Sequence, residues 1–371
     1  MIPTFNKVHN KFKLNSTHYN FEDLKEVAYS FVKEGEPYEK VTGDFLLDWL
    51  DNQDYITVNT SGSTGKPKTI KLDKQAMVNS AIATGEFFGL NPGDNAIDCL
   101  PSNYIAGKMM LVRAMILGLE IDCVNPTTKP EFNTTKNYDF CAMIPLQLMK
   151  CIDSITHIKT IIVGGAAVQN ELLNKLKTVP NKVFETYGMT ETVTHVAVKQ
   201  LNTLHSEESH IFQALPNVLF SQDSRECLMI KAPHLSKETL MTNDVVKLNS
   251  QTSFEWIGRI DNVINSGGVK LFPEQIEAKL NQHIQTPFFI ASRPDESLGK
   301  QLILVVENLD INTEDLLKTI SNDKSFDKLE IPKLIFNLEK FAYTANGKIN
   351  RSLTLESIKK LSRSYNSYNL N

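Results

Sequence analysis

The sequence predicts an α/β protein: a large N-terminal domain of mostly parallel α/β sheet with a β subdomain, followed by a small α+β C-terminal domain. Three observations carry this expectation. Between about residues 55 and 188, short β-rich runs alternate with helical patterns at the spacing of strand–helix crossovers. From about 190 to 258 the runs are strand-like and joined by turns. After Arg259-Ile260-Asp261, helix and strand patterns mix again. The boundary is expected near Asp261, dividing the chain into 1–260 and 261–371, and no internal repeat is visible.

Each element follows from its local pattern. ITVNT (56–60) is a strand leading into a Gly-rich loop, and Lys74 to Phe88 reads as a helix. NAIDCL (95–100) is a strand, followed by a helix through MMLVRAMIL (109–117). LEIDCV (119–124), YDFCAMI (138–144), IKTIIVGG (158–165) and KVFETYG (182–188) supply further strands. HVAVKQL (195–201), CLMIKA (227–232), DVVKL (244–248) and FEWIG (254–258) make the β subdomain. A helix follows Pro273, then strands FFIAS (288–292) and LILVVE (302–307), and a helix from about Glu314 to Ile320. The chain closes on a basic segment whose polar tail, SYNSYNLN, is expected to fray.

The 371 residues are 41% hydrophobic and 22% charged, ordinary values for a globular protein. Lys plus Arg (39) against Asp plus Glu (43) gives −4, which provides no general attraction for nucleic acid or anionic membrane. No apolar run approaches the roughly 18 residues of a membrane span. The opening MIPTFNKVHNKFKLN lacks the apolar core and cleavage site of a secretory signal. The five cysteines are odd in number, widely spaced and without a CxxC pair, which reads as buried thiols in a reducing cytoplasm. Homo-oligomerisation stays open.

The strongest local signal is Thr60-Ser61-Gly62-Ser63-Thr64-Gly65-Lys66-Pro67-Lys68. Glycines, hydroxyls and lysines in one loop can wrap phosphate oxygens with N–H and O–H donors. It is not a Walker loop, because only two residues separate Gly62 from Gly65 and Pro67 follows Lys66. The bland alternative is a flexible Ser/Gly turn. A second signal, Tyr187-Gly188-Met189-Thr190-Glu191-Thr192, ends a predicted strand. The Tyr ring suits a base, Thr190 and Thr192 suit a phosphate, and Glu191 suits a hard cation such as Mg²⁺. Taken alone the hexapeptide is no more than a strand end and a turn. Gly164-Gly165-Ala166 ends another strand, where parallel sheets bind ligands. Two later clusters are Thr242-Asn243-Asp244 with Gly258-Arg259-Ile260-Asp261 and Asn265-Ser266-Gly267-Gly268, and Asn346-Gly347-Lys348.

In order and spacing these clusters resemble the adenylate-forming acyl-CoA synthetases, the superfamily that includes firefly luciferase and peptide-synthetase adenylation domains, over about residues 55 to 355. The resemblance implies a two-step reaction with ATP, Mg²⁺ and coenzyme A: a carboxylate attacks the α-phosphorus, then a thiol displaces AMP. By motif position it implies that Ser61 to Lys68 hold the β/γ-phosphates, with Thr60 opening the same cofactor-binding loop. Thr190 would meet the α-phosphate and Glu191 the Mg²⁺. Tyr187 and Gly188, with Gly164, Gly165 and Ala166, would flank adenine, and Asp244 with Arg259 the ribose. Lys348 would approach the carboxylate–phosphate junction, and Gly267 and Gly268 the pantetheine arm. Asp261 would be the hinge of a mobile C-terminal domain, although an Asp in a linker is usually a turn or cap residue.

The acid is read from the intervening segments. Tyr104 stands where the family often carries a His, and Arg113 lies inside the apolar run after it. A buried Arg needs an anionic partner; either an internal Asp or Glu supplies it, or a second substrate carboxylate does. Thr194 and His195 fall beside the acyl pocket in the family arrangement, although a His there also suits a satisfied strand position. YIAGKMMLVR with YGMTETVTHVA looks like the short o-succinylbenzoate–CoA ligases of menaquinone synthesis. Alternatives are a ligase for another aryl or fatty acid, one that loads a carrier protein, and a non-catalytic nucleotide-binding relative. Family members usually carry a longer segment before the phosphate loop than the 59 residues here, so that subdomain is not expected in full.

Overall fold

The computed structural model describes residues 3–60, 68–202, 210–343 and 349–358. Among them the chain forms two units. The first runs through Thr60, from 68 to Thr242, and over Val246–Trp256; the second takes Asn243–Val245 and the chain from Ile257 on.

The first 60 residues form β1 (Lys13–Leu14), β2 (Thr17–His18), α1 (Phe21–Glu34), α2 (Pro37–Leu50) and β3 (Tyr55–Thr60). Asn20 starts α1 with a capping box, accepting from the N–H groups of Glu22 and Asp23 while Asp23 accepts from its own. After the Gly-rich loop come β4 (Lys68–Asp73), α3 (Lys74–Phe88), β5 (Asn95–Asp98), α4 (Ile105–Leu117), β6 (Glu120–Cys123), β7 (Tyr138–Met143) and α5 (Pro145–Cys151). They are followed by β8 (Ile158–Val163), α6 (Asn170–Leu176), β9 (Lys182–Gly188), β10 (His195–Gln200), β11 (Ile211–Ala214), β12 (Leu219–Gln222), β13 (Cys227–Lys231), β14 (Leu240–Ser250) and β15 (Ser253–Arg259). Asp73 caps α3 by accepting from Ala76 N–H at 2.6 Å.

One sheet of thirteen strands takes the order β12-β13-β14-β15-β11-β10-β9-β8-β7-β5-β6-β1-β2. Its β1-to-β9 half is parallel apart from the edge strand β2, and from β9 onward the pairings β9–β10, β10–β11, β11–β15 and β12–β13 are antiparallel. The predicted β subdomain therefore continues the same sheet. Along the parallel strands Ala96, Phe140 and Ile162 face one apolar cluster, while Ile97, Cys141 and Ile161 face another. Covering both faces is what a parallel sheet requires. α4 is apolar on every side apart from Lys108 and Arg113, and these two are buried with the rest from Gly107 to Ile116 among α2, α3 and the sheet. It begins at Ile105, earlier than its apolar run suggests. β3 and β4 pair antiparallel, with Thr60 opposite Lys68, so a strand rather than a helix follows Pro67. All five cysteines are free, four buried and Cys123 partly so.

In the second unit, β16 (Ile264–Ser266) and β17 (Val269–Leu271) form a two-residue hairpin. Gly267 (φ 56°) and Gly268 (φ 82°) make its turn, both left-handed, which is why two glycines stand there. Next come α7 (Pro273–Leu280), β18 (Phe288–Asp295), β19 (Gly299–Glu307), α8 (Thr313–Asn322) and β20 (Leu334–Leu338). The three strands form one sheet in the order β18-β19-β20. Residues 351–358 are helical, and Arg351 ties them to α7 through Glu277 at 2.8 Å.

Candidate active site

The first unit brings Arg113, Thr194 and His195 together with Thr84, a residue that carries no motif. Arg113 projects from α4 and is 2% exposed. Its Nε donates to Thr84 Oγ1 at 3.3 Å, its Nη1 approaches Met110 Sδ at 3.6 Å, and its Nη2 donates to Thr194 Oγ1 at 3.2 Å. No carboxylate among the described residues comes within 4 Å of it, so the internal ion pair, one of the two expectations for this residue, is not found among them. Burial lowers the guanidinium pKa to about 10 and Asp98 works against that, so the group remains a cation at neutral pH.

His195, 6% exposed, is pushed well below its ordinary value by burial and by Arg113, and is therefore neutral. Its tautomer follows from its neighbours. Thr84 gives its hydroxyl proton to the Ser80 carbonyl at 2.9 Å. It can then only accept from His195 Nε2, 3.5 Å away, which leaves Nδ1 to accept from the Thr194 hydroxyl at 3.0 Å. The result is a polar knot inside an apolar interior, with one net positive charge.

The turn that carries Thr194 is held tightly. Thr190–Thr192 is a single 3-10 turn. The Thr192 hydroxyl accepts from Met189 N–H at 2.9 Å and lies 2.6 Å from the Thr194 carbonyl. Val193 has φ 65° and ψ −60°, a conformation a β-branched residue adopts only when its surroundings impose it. Gly188 leaves no room for a side chain: a Cβ there would strike the Thr194 carbonyl and lie 2.6 Å from His195 Cα. Glu191 is exposed and has no ion pair among the described residues. Among those residues no group of three or more His, Cys, Asp or Glu side chains is placed to hold a metal ion. The Tyr187 ring packs on Phe254 and Phe212 at 5.1 and 5.8 Å. Gly164 and Gly165 leave β8 beside Thr186, whose hydroxyl donates to the Val163 carbonyl at 3.1 Å, and Ala166 follows them.

Within the second unit, Arg259 Nη2 donates to Asp261 at 2.8 Å, while its Nη1 lies 3.9 Å from Asp244. Asn243 also donates to Asp261, at 3.3 Å. Asp244, Arg259 and Asp261 therefore form one cluster. Tyr104 is the residue before α4, exposed, and its side chain makes no hydrogen bond among the described residues. The structure does not join it to Arg113. Ser61, Gly62, Ser63, Thr64, Gly65, Lys66 and Lys348 lie outside the described residues, and for Thr60 and Lys68 only the strand backbone is described.

Two residues escaped the reading of motifs. Thr84 gave no signal, since a Thr inside a helix is unremarkable. Asp98 did: it is a carboxylate inside the apolar strand NAIDCL. It is 3% exposed, and burial pushes its carboxyl up to about 8 despite Arg113.

Comparison with known proteins places the chain in a family. Residues 11–220 match the family described as AMP-binding enzyme. An acyl-CoA synthetase (AMP-forming)/AMP-acid ligase II-like protein of Dyadobacter fermentans is 36% identical, with 90% of this chain and 98% of that one covered and a TM-score of 0.59. A 2-succinylbenzoate–CoA ligase of Listeria monocytogenes is 24% identical over 90% of this chain and 76% of the relative. The o-succinylbenzoate coenzyme A synthetase of Bacillus subtilis, solved with ATP and magnesium ion, shares the fold with a TM-score of 0.67, at 20% identity over 81% of this chain and 69% of that one. The chain belongs to the AMP-binding enzyme family and is, with it, an AMP-forming ligase.

Proposed function

We propose that the chain is an ATP-dependent carboxylate–CoA ligase whose acid is o-succinylbenzoate, a keto-diacid. The observation that carries the choice of acid is the buried Arg113 cation, which has hydroxyl and thioether partners but no carboxylate within 4 Å among the described residues. A desolvated charge is costly until an anion balances it. A substrate carboxylate does so, and neutral His195 with Thr194 adds polar contacts for the neighbouring carbonyl. The names of the Listeria and Bacillus relatives support the same acid.

In the first step the other carboxylate attacks the α-phosphorus of ATP, and pyrophosphate leaves with the bond it breaks. In the second, the thiolate of coenzyme A attacks the acyl carbonyl and AMP departs. Thr60 to Lys68 hold the outgoing phosphates, and Thr190 the α-phosphate. Glu191 holds Mg²⁺, a role suited to one exposed carboxylate because Mg²⁺ usually keeps waters and substrate phosphates as its other ligands. When bound there, Mg²⁺ would supply neutralisation of charge on the phosphate oxygens. Tyr187 and Gly188, with Gly164 to Ala166, take adenine. Asp244 and Arg259 take ribose, and Asp261 serves as the hinge. Lys348 reduces repulsion between the two reacting anions, and Gly267 and Gly268 give the pantetheine arm a side-chain-free path.

A second reading, a ligase for another aryl or fatty acid or one that loads a carrier protein, is favoured by the tethering of Arg113 to Thr84 and Thr194, which also suits a purely structural role. Pyrophosphate exchange against a panel of acids decides. Strong exchange with o-succinylbenzoate supports the proposal; none with it, but strong exchange with a monocarboxylate, rejects it.

A further inference from the structure

The first unit contains a cavity of about 250 Å³ that none of these roles uses. Its walls are the first turns of α2 (Pro37 to Thr42), Asp98 with residues 100–103 after β5, and residues 123–126 at the end of β6. No Lys, Arg or His is among the lining residues. Two buried groups can accept instead, Asp98 once its carboxyl has ionised, near pH 8, and Ser102. Asp98 Oδ1 accepts from Leu100 N–H at 3.1 Å, while its other oxygen has no hydrogen-bond partner among the described residues. Thr42 gives its hydroxyl proton to the Tyr38 carbonyl at 3.1 Å. Ser102, 2% exposed and 3.3 Å from Thr42, must then donate to Thr42, which leaves its own lone pairs for an incoming donor.

We propose that this cavity binds a small organic cation with a primary ammonium group, whose N–H groups are shared between Asp98 and Ser102 while its carbon body lies against Val41, Pro37 and Pro126. An ammonium carries three donors and no acceptor, the complement of this lining. The volume equals roughly eight waters at about 30 Å³ each, and lies below the range of drug-sized pockets, about 300–1,000 Å³. The ligand is therefore a single ring or a short chain. The charged and titratable groups that act on Asp98 are Arg113 on α4, Cys123 on β6 and Cys141 on β7. Burial holds the Cys123 thiol protonated, and the hydrogen bond with Cys99 together with burial does so for Cys141, so of these groups Arg113 is the charge that competes with the ligand for this carboxylate.

The test is titration calorimetry of the full chain at pH 8 with benzylammonium, and with benzyl alcohol as its neutral counterpart. The expected result is binding of benzylammonium at least about tenfold tighter than the alcohol, the size of one hydrogen bond to a charged group. Asp98→Asn should erase that preference. Val41→Trp, which fills the cavity from α2, should abolish binding of both probes. Absence of binding by benzylammonium overturns the proposal, as does equal binding of the alcohol or unchanged binding in folded Val41→Trp. These last comparisons decide even where Asp98→Asn fails to fold.

Discussion

Arg113 Nη2 donates to Thr194 Oγ1 at 3.2 Å, which ties the centre of α4 to the turn that follows the Tyr187-to-Thr192 motif. Through that bond and Thr84, a buried cation, a neutral imidazole and the strained backbone at Val193 act as one assembly.

Replacing Arg113 by Ala should raise the KM for a diacid about 100-fold, the order expected when one member of a buried charge pair is removed. The KM for a related monoacid should change far less. Equal weakening of both acids would make Arg113 structural.

His195 predicts acid sensitivity. Its folded pKa lies well below the unfolded value of about 6.5. Between those two values the unfolded chain binds the extra proton, so stability falls as pH drops below about 6.5. Urea midpoints measured from pH 7.5 to 5 should decline less steeply in His195→Gln than in the wild type.

Asp98 predicts the opposite slope. Its folded pKa of about 8 exceeds the unfolded value of about 3.9, so its contribution is fully present below about pH 4 and is lost as pH rises through 8. Asp98→Asn should flatten that decline. Thermal unfolding at pH 5 and pH 8 checks it: the variant should gain relative to the wild type at the higher pH.

Gly188→Ala drives a Cβ into backbone atoms of Thr194 and His195 that cannot swing aside. A loss of about 1–3 kcal/mol in urea unfolding is expected. Acyl-adenylate formation should fall with it, because the same turn carries Thr190 and Glu191.

Lys348→Ala should abolish acyl-adenylate formation while leaving thioester formation from supplied acyl-adenylate largely intact. Single-turnover assays of the two halves separate these outcomes, and equal loss of both would contradict the assigned role.

Legibility followed range. The alternation of β5, α4, β6 and β7 was visible because period-2 and helical patterns are written in neighbouring residues. β4 was not, because KTIKLD is only six residues between a Gly-rich loop and a helix. α1 and α2 carry no family motif, and their starts are marked by the capping signals Asn20 and Pro37. At the site, Arg113 stood out as a charge in an apolar helix, and Asp98 stood out equally but belonged to no motif.

By itself, the sequence determined the class of sheet, the order of the family's motifs and the likeness that names the reaction, since all three depend on residue type and local spacing. Only the tertiary structure decided who meets Arg113. Thr84 lies 29 residues before it and Thr194 81 residues after, brought in by the packing of α3 against α4 and by the turn beyond β9. Such a contact depends on how three elements fill one interior, and complementarity of packing leaves no periodic trace along a single chain.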